Sequence, residues 1–269
     1  MESLFRHAYG LSNALVAPPE PAGTRLALAG ASAMVPLLTQ IVQGYRRLHP
    51  EAQLTVTGGS SYHAMLQVRE GAADIGMVTS ALGPAEQDLY SFPIARDGVA
   101  LVVHDSNPVA QLSDQELRAI LTGQVYNWRE LGGPDRAIEV LGAARHAGVR
   151  ILVARHLRLH PDQFRARLTV DSGADRLRAL AGNRGALVYA PLGLTDRMAG
   201  AGLPLRALPV AGVAAHTANV RNGHYPIARI MSLVSKVPPT ALARSFFAYC
   251  LSAQVRAMLG GFDLLPYLD

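Results

Sequence analysis

Between positions 25 and 78 the sequence alternates strand-like and helix-like runs, with a Gly/Ser turn at each strand-to-helix junction. This rhythm constrains the fold more than any other feature. Residues 25–29 form a short apolar run. Residues 33–47 then place Val35, Leu38, Ile41, Val42 and Tyr45 at helical spacing, stopped by His49 and Pro50. Residues 53–57 alternate polar and apolar, as a half-buried strand does. Residues 62–70 return to helical spacing ahead of Gly71, a C-cap residue type, and 75–78 is a third strand. Strand, helix, strand, helix, strand in this order predicts an α/β unit around a mainly parallel sheet. The turns G-A-S-A-M-V-P (30–36) and G-G-S-S (58–61) fall where helices begin. Such positions carry unpaired backbone N–H groups and partial positive charge, which suits them to anions.

The rest of the chain continues the pattern. Residues 99–103 are a continuous apolar run, expected of a strand covered on both faces. Ser113 with Glu116 three residues on has the form of a capping box opening a helix. Strands are predicted at 138–141, 186–189, 205–208 and 230–235. Helices are predicted at 148–159, 174–181 (opened by Ser172 or Gly173 and closed by Gly182), 240–251 and 253–259. No internal repeat and no low-complexity tract interrupts them.

Composition narrows the function. At 269 residues, 49% hydrophobic and 17% charged, the chain is long and apolar enough for one large or two smaller cores and is not a disordered sequence. Its longest apolar stretches are too short to span a bilayer. The formal charge is +5, and the only lysine is Lys236, so the positive charge is nearly all arginine. The sequence pI is about 9.6. No basic run and no aromatic platform accompany that charge, which argues against nucleic acid and for a mild bias toward anionic ligands. The single cysteine, Cys250, rules out an internal disulfide and a thiolate metal cluster, and its apolar helical setting reads as a buried thiol. His156 and His160 share one helix face by spacing, but Arg155 and Arg158 flank them and no acidic third ligand is near, so no metal or other cofactor is expected. No G-x-S-x-G occurs and no nucleophile pattern stands out, so the chain reads as a non-enzyme. Residues 1–23 lack the apolar core of a signal peptide and end in a Pro-rich linker. On that reading the protein is cytoplasmic, or its leader lies outside this sequence.

Further blocks follow in order: A-D-I-G (73–76), L-T-G-Q-V-Y-N-W-R-E-L-G-G (121–133), N-V-R-N-G-H-Y-P-I-A-R (219–229) and G-F-D-L-L-P (261–266). Together with the two turns they resemble the phosphate-binding proteins of bacterial ABC importers, within the type II periplasmic-binding-protein group. The resemblance covers about 25–266. It implies a two-lobe α/β fold with a mixed, mostly parallel sheet in each lobe and a two-segment hinge that closes on the ligand. The implied division is a tail at 1–23, lobe 1 at 24–96 plus 214–269, and lobe 2 at 97–213. The crossings would fall at Arg96–Asp97–Gly98 and Ala211–Gly212–Val213. It further implies a solute-binding protein for phosphate or a phosphate-like oxyanion, an extracytoplasmic site, an ABC permease as partner and a monomeric state. The alternative is a related sensor or binding module with a different ligand or none.

The resemblance also implies site residues. Ser32, with the backbone N–H groups of Ala33 and Met34, would line the first turn, although the family's threonine hydroxyl is absent there. Ser60 and Ser61 would supply hydroxyls. Asp74 would match the family's aspartate, which accepts a hydrogen bond from a protonated oxyanion and repels sulfate. In lobe 2 the family shows arginine and then serine-glycine-threonine-arginine at a helix start. Alignment on Gly148 and Arg150 puts Ala147 at the serine, Val149 at the threonine and Ala143 at the arginine. Each lost hydrogen bond to a charged group is worth about 1.5–3 kcal/mol, so phosphate affinity is expected to drop by orders of magnitude. Arg145 is the expected substitute guanidinium, and His63 and His146 are candidate extra donors.

Overall fold

The computed structural model describes residues 25–79, 82–145, 147–170, 172–236 and 238–268. The expected tail and linker at 1–23 and the candidate donor His146 lie outside them. β1 (Arg25–Ala31), β2 (Gln53–Gly59) and β3 (Ile75–Val78) run parallel, linked by α1 (Val35–Leu48) and α2 (Ser61–Glu70). Ser32–Met34 forms a 3₁₀ turn before α1, so the helix begins two residues later than its apolar spacing predicts, with Pro36 in its first turn. Gly30 makes that turn possible. Its φ is +140°, and a Cβ there would lie 2.3 Å from the Met77 carbonyl oxygen. Gly71 ends α2 in the left-handed region, as predicted.

β4 (Leu89–His104) follows, then α3 (Asp114–Leu121), β5 (Glu139–Gly142), α4 (Gly148–His156), β6 (Leu168–Thr169) and α5 (Gly173–Ala181). Next come β7 (Ala186–Pro191), α6 (Leu192–Gly200), β8 (Leu205–Leu208), α7 (Thr217–Arg221) and β9 (Ala228–Lys236). The chain closes with α8 (Ala241–Cys250), α9 (Ala253–Gly261) and β10 (Leu265–Pro266). Strand order is β2-β1-β3-β9-β4-β7-β5-β6, with β8 and β10 also paired to β4. The wings are parallel, β2-β1-β3 on one side and β7-β5-β6 on the other. Every antiparallel pairing involves β4 or β9. The expected mostly parallel sheets are therefore parallel only away from the hinge, because the two crossing strands run against their neighbours.

Two main cores flank the crossing. One gathers Leu28, Leu38, Ile41, Tyr45, Phe92, Phe246, Phe247 and Leu259 from both ends of the chain. The other gathers Val102, Leu121, Trp128, Val153, Leu177, Val188 and Val220 from its middle. β4 serves both. Its first half pairs with β9 and its second half with β7 and β8. β4 passes from the first core to the second between Ala95 and Val99. At 211–213 the backbone turns back on itself. There Val210 and Val213 exchange backbone hydrogen bonds of 3.0 and 2.9 Å around Ala211 and Gly212, both at positive φ, which is a tight reversal. Ala215, Val220, Tyr225 and Ile227 still pack in the second core, so the chain returns at the start of β9.

The block at 121–133 is a device for placing Trp128. Asn127 caps a 3₁₀ turn (Trp128–Leu131), with its side chain accepting from the Arg129 N–H at 2.9 Å, and Gly132 closes the turn at φ +76°. Trp128 is fully buried and its Nε1 donates to the Gly185 carbonyl at 2.9 Å.

Candidate functional site

In a parallel sheet, ligands gather at the carboxyl ends of the strands. Here those ends carry the 3₁₀ turn after β1, the start of α2 after β2, and Thr79 after β3. Ser32 is exposed there and its hydroxyl donates to the Gly59 carbonyl at 3.2 Å. Ser60 caps α2, accepting from the His63 N–H at 3.2 Å, and its Oγ lies 3.0 Å from His63 Nδ1. Ser61 Oγ accepts from the Thr79 N–H at 3.1 Å, so this hydroxyl is tied to the β3 end. Ala33 is exposed at the turn. The Met34 side chain is fully buried in the first core, so the part expected of this residue falls to its backbone N–H alone.

Asp74 is a correction to the expected site. It precedes β3, and its Oδ2 accepts from the Ala27 N–H at 2.7 Å while its own N–H donates to the Ala27 carbonyl at 2.9 Å. That pins it to the amino ends of the strands. With a rise of about 3.3 Å per residue it lies roughly 16 Å from Thr79, at the opposite end of the sheet. Its carboxylate holds β1 to β3 and takes no part in the cleft.

On the facing lobe, Ala147 precedes α4 and offers no side-chain cap, so the first N–H groups of α4 keep their donors free of a cap. A Cβ built on Gly148 would stand 3.9 Å from the Ala33 Cβ and 2.9 Å from Arg229 Nη2. Ala33, Ala147, Gly148 and Val149 therefore do meet across the lobes, and they line a cavity of about 300 Å³ with Asp97, Arg176 and Arg229. Arg145 is not part of it. It is exposed and paired with Asp162, so it does not replace the guanidinium missing at Ala143. Arg150 is buried and structural, donating to the carbonyls of Pro161 (3.0 and 2.6 Å) and Ala143 (3.1 Å).

The residue that sequence reasoning missed is Arg229. It sits in β9 opposite Asp97 in β4, with Nε and Nη2 donating to Asp97 Oδ2 at 3.0 and 2.7 Å. Both side chains are only 8% exposed. Burial pushes the Asp97 carboxyl above its usual range, against the downward pull of Arg229. Arg229 also lines a larger cavity of about 520 Å³ between the lobes, together with Thr79, Arg96, Leu152, Arg155, His156, Val220, Tyr225 and Ile230. Arg96 stacks over the Tyr267 ring at 4.4 Å. Arg155 has no hydrogen-bond or ion-pair partner among the described residues, and burial followed by the nearby Arg229 charge lowers its pKa. The histidine pair separates. His156 Nε2 lies 2.8 Å from Asp114 Oδ1, while His160 lies past the end of α4 and 3.3 Å from Asp162. Among the described residues no cluster of His, Cys, Asp or Glu has a metal-holding arrangement.

Arg197 of α6 pairs with Asp263, so the block at 261–266 reaches across to the other lobe. The block at 219–229 does the same for the hinge. Tyr225 donates its hydroxyl to the Val99 carbonyl at 3.0 Å, and Arg229 holds Asp97.

The family model for the PBP superfamily domain matches residues 16–254. The phosphate-binding protein PstS of Bacillus subtilis (strain 168) is 30% identical over 242 residues, covering 88% of this chain and 78% of its own length. In shape, the chain is similar to an ABC-type phosphate transport receptor from Vibrio cholerae. That match has a TM-score of 0.76 at 22% identity and covers 90% of this chain and 99% of the receptor. A putative phosphate ABC transporter substrate-binding protein with bound phosphate from Clostridium perfringens matches at a TM-score of 0.60 and 26% identity, with the same coverage. A two-lobe fold hinged on β4 and β9, matched over nearly its whole length by these proteins, places this chain in the phosphate-binding protein family of the PBP superfamily.

Proposed function

We propose that this protein is the substrate-binding component of an ABC importer, working as a monomer outside the cytoplasmic membrane and holding a phosphate-like anion between its lobes. The observation that carries the reading is the convergence at Gly148. There the uncapped start of α4, the first-lobe turn at Ser32 and Ala33, and the buried guanidinium of Arg229 meet in the cleft. With Arg229 already balanced by Asp97, the pull on an anion comes from the uncapped N–H groups at the start of α4, and Arg229 adds a donor beside them. Binding across both lobes would draw them closed. The activity is capture, without turnover. No helix among the described residues is long and apolar enough to cross a membrane.

The test is calorimetry of the unliganded protein against phosphate, sulfate, arsenate and acetate. Oxyanion binding should disappear in Gly148→Asp, which sets a carboxylate against Arg229 at the helix start, with far-UV circular dichroism checking that the variant is folded. Absence of heat with every anion in the parent protein refutes the reading. A ligand other than inorganic phosphate is favoured by one specific observation. Asp74 is absent from the cleft, and neither Ala147 nor Val149 restores a hydroxyl.

A further inference from the structure

The larger cavity differs in character from a site for a bare inorganic ion. Its volume of about 520 Å³ lies in the range of sites that enclose whole small organic molecules, about 300–1,000 Å³. An inorganic phosphate of a few heavy atoms fills a small part of it. Leu152, Val220, Tyr225 and Ile230 give it apolar walls. Among the described residues three arginines line it and no carboxylate does. Asp97 neutralises only Arg229. Arg96 stacks on Tyr267 and has no ion pair with an acid among the described residues. Arg155 has no ionic partner among the described residues, and it shares the cavity wall with Arg229, whose charge lowers its pKa after burial does. Arg155 and Arg229 thus set two guanidiniums, only one of them balanced by a carboxylate among the described residues, beside an apolar wall, an arrangement that suits an anion with an apolar body.

We propose that this cavity accepts an organic oxyanion, with its ionised phosphate or sulfonate head held by Arg155 and Arg229 and its apolar body resting against Leu152, Val220 and Ile230. The inference rests on the anion-capture reading and names the ligand class for the same cleft. Because every ionic group lining this cavity is a donor, the head is read as a fully ionised group. A sulfonate and a phosphate monoester of the same body should therefore bind alike, since no acid is present to demand a proton from the ligand.

The experiment uses the whole protein and four probes: phenyl phosphate, benzenesulfonate, inorganic phosphate and inorganic sulfate. The two aromatic probes should bind at least about tenfold more tightly than their inorganic counterparts, as burial of a ring requires. Arg155→Gln, at a side chain with no hydrogen-bond or ion-pair partner among the described residues, should weaken both aromatic probes by about tenfold or more. Ile230→Thr should reduce the preference for the aromatic probes over the inorganic ones. Inorganic phosphate binding as tightly as phenyl phosphate overturns this inference and leaves anion capture standing. Silence from all four probes overturns both.

Discussion

Asp97→Ala is the most informative perturbation of the hinge. The substitution strips Arg229 of the carboxylate that accepts from its Nε at 3.0 Å and its Nη2 at 2.7 Å, and it leaves a guanidinium that is only 8% exposed. Two charge-assisted hydrogen bonds at about 1.5–3 kcal/mol each give roughly 3–6 kcal/mol. Removing one partner of a buried ion pair costs about 3–5 kcal/mol by direct measurement in other proteins. Both routes agree on a loss of about 4 kcal/mol, a large part of the roughly 5–15 kcal/mol that stabilises a typical domain. With a urea slope near 2 kcal/mol per molar, the unfolding midpoint should fall by about 2 M. Far-UV circular dichroism reports the whole chain and Trp128 fluorescence reports the second core. The double variant Asp97→Leu with Arg229→Met should recover most of the loss, because it leaves no charge buried. A midpoint for Asp97→Ala within 0.5 M (~1 kcal/mol) of the parent would refute the reasoning, as would a double variant no better than the single one.

Three shorter predictions test other elements. Asp74→Ala should leave anion affinity unchanged in calorimetry while lowering the urea midpoint, since it removes the acceptor of the Ala27 N–H far from the cleft; a lost affinity would return Asp74 to the ligand. Gly30→Ala should destabilise by about 1–3 kcal/mol or more, because it adds a Cβ against the Met77 carbonyl at a φ of +140°, and a neutral result in urea would contradict the geometry. Burial pushes the Cys250 thiol far above its ordinary range, so a thiol-specific reagent at neutral pH should label it only after unfolding; labelling of the folded protein would show the α8 packing to be wrong.

The fold was legible wherever a local rule decides the backbone. Gly71 as a C-cap, Ser113 with Glu116 as a capping box, and the apolar runs of β3 and β8 need only neighbours in sequence, and they stand where the spacing puts them. The first half of β4 was missed because Pro93 interrupts it, and the strand accommodates that residue with a register shift between Pro93 and Ala95. The site was less legible because its central pair is 132 residues apart in the chain. Asp97 was visible only as a crossing point, and Arg229 only as the last letter of a block. Asp74 was misplaced for a reason open to sequence argument. It stands before its strand, and ligands gather after strands, where Ser32 and Thr79 are found.

Strand order also dictates an order of assembly. β9 lies between β3 and β4 in the sheet, yet it is among the last strands made. Every buried member of the second core lies between Val99 and Ile227, so that lobe has its full complement while β9 is still to come. The first lobe at that stage lacks its central strand and the α8 and α9 side chains that fill its core. A growing chain therefore holds an open seam between β3 and β4 until β9 itself is made. Pulse-labelled hydrogen exchange during refolding should show β5 and β7 amides protected before those of β1 and β3. The reverse order would mean that the first lobe closes without its keystone.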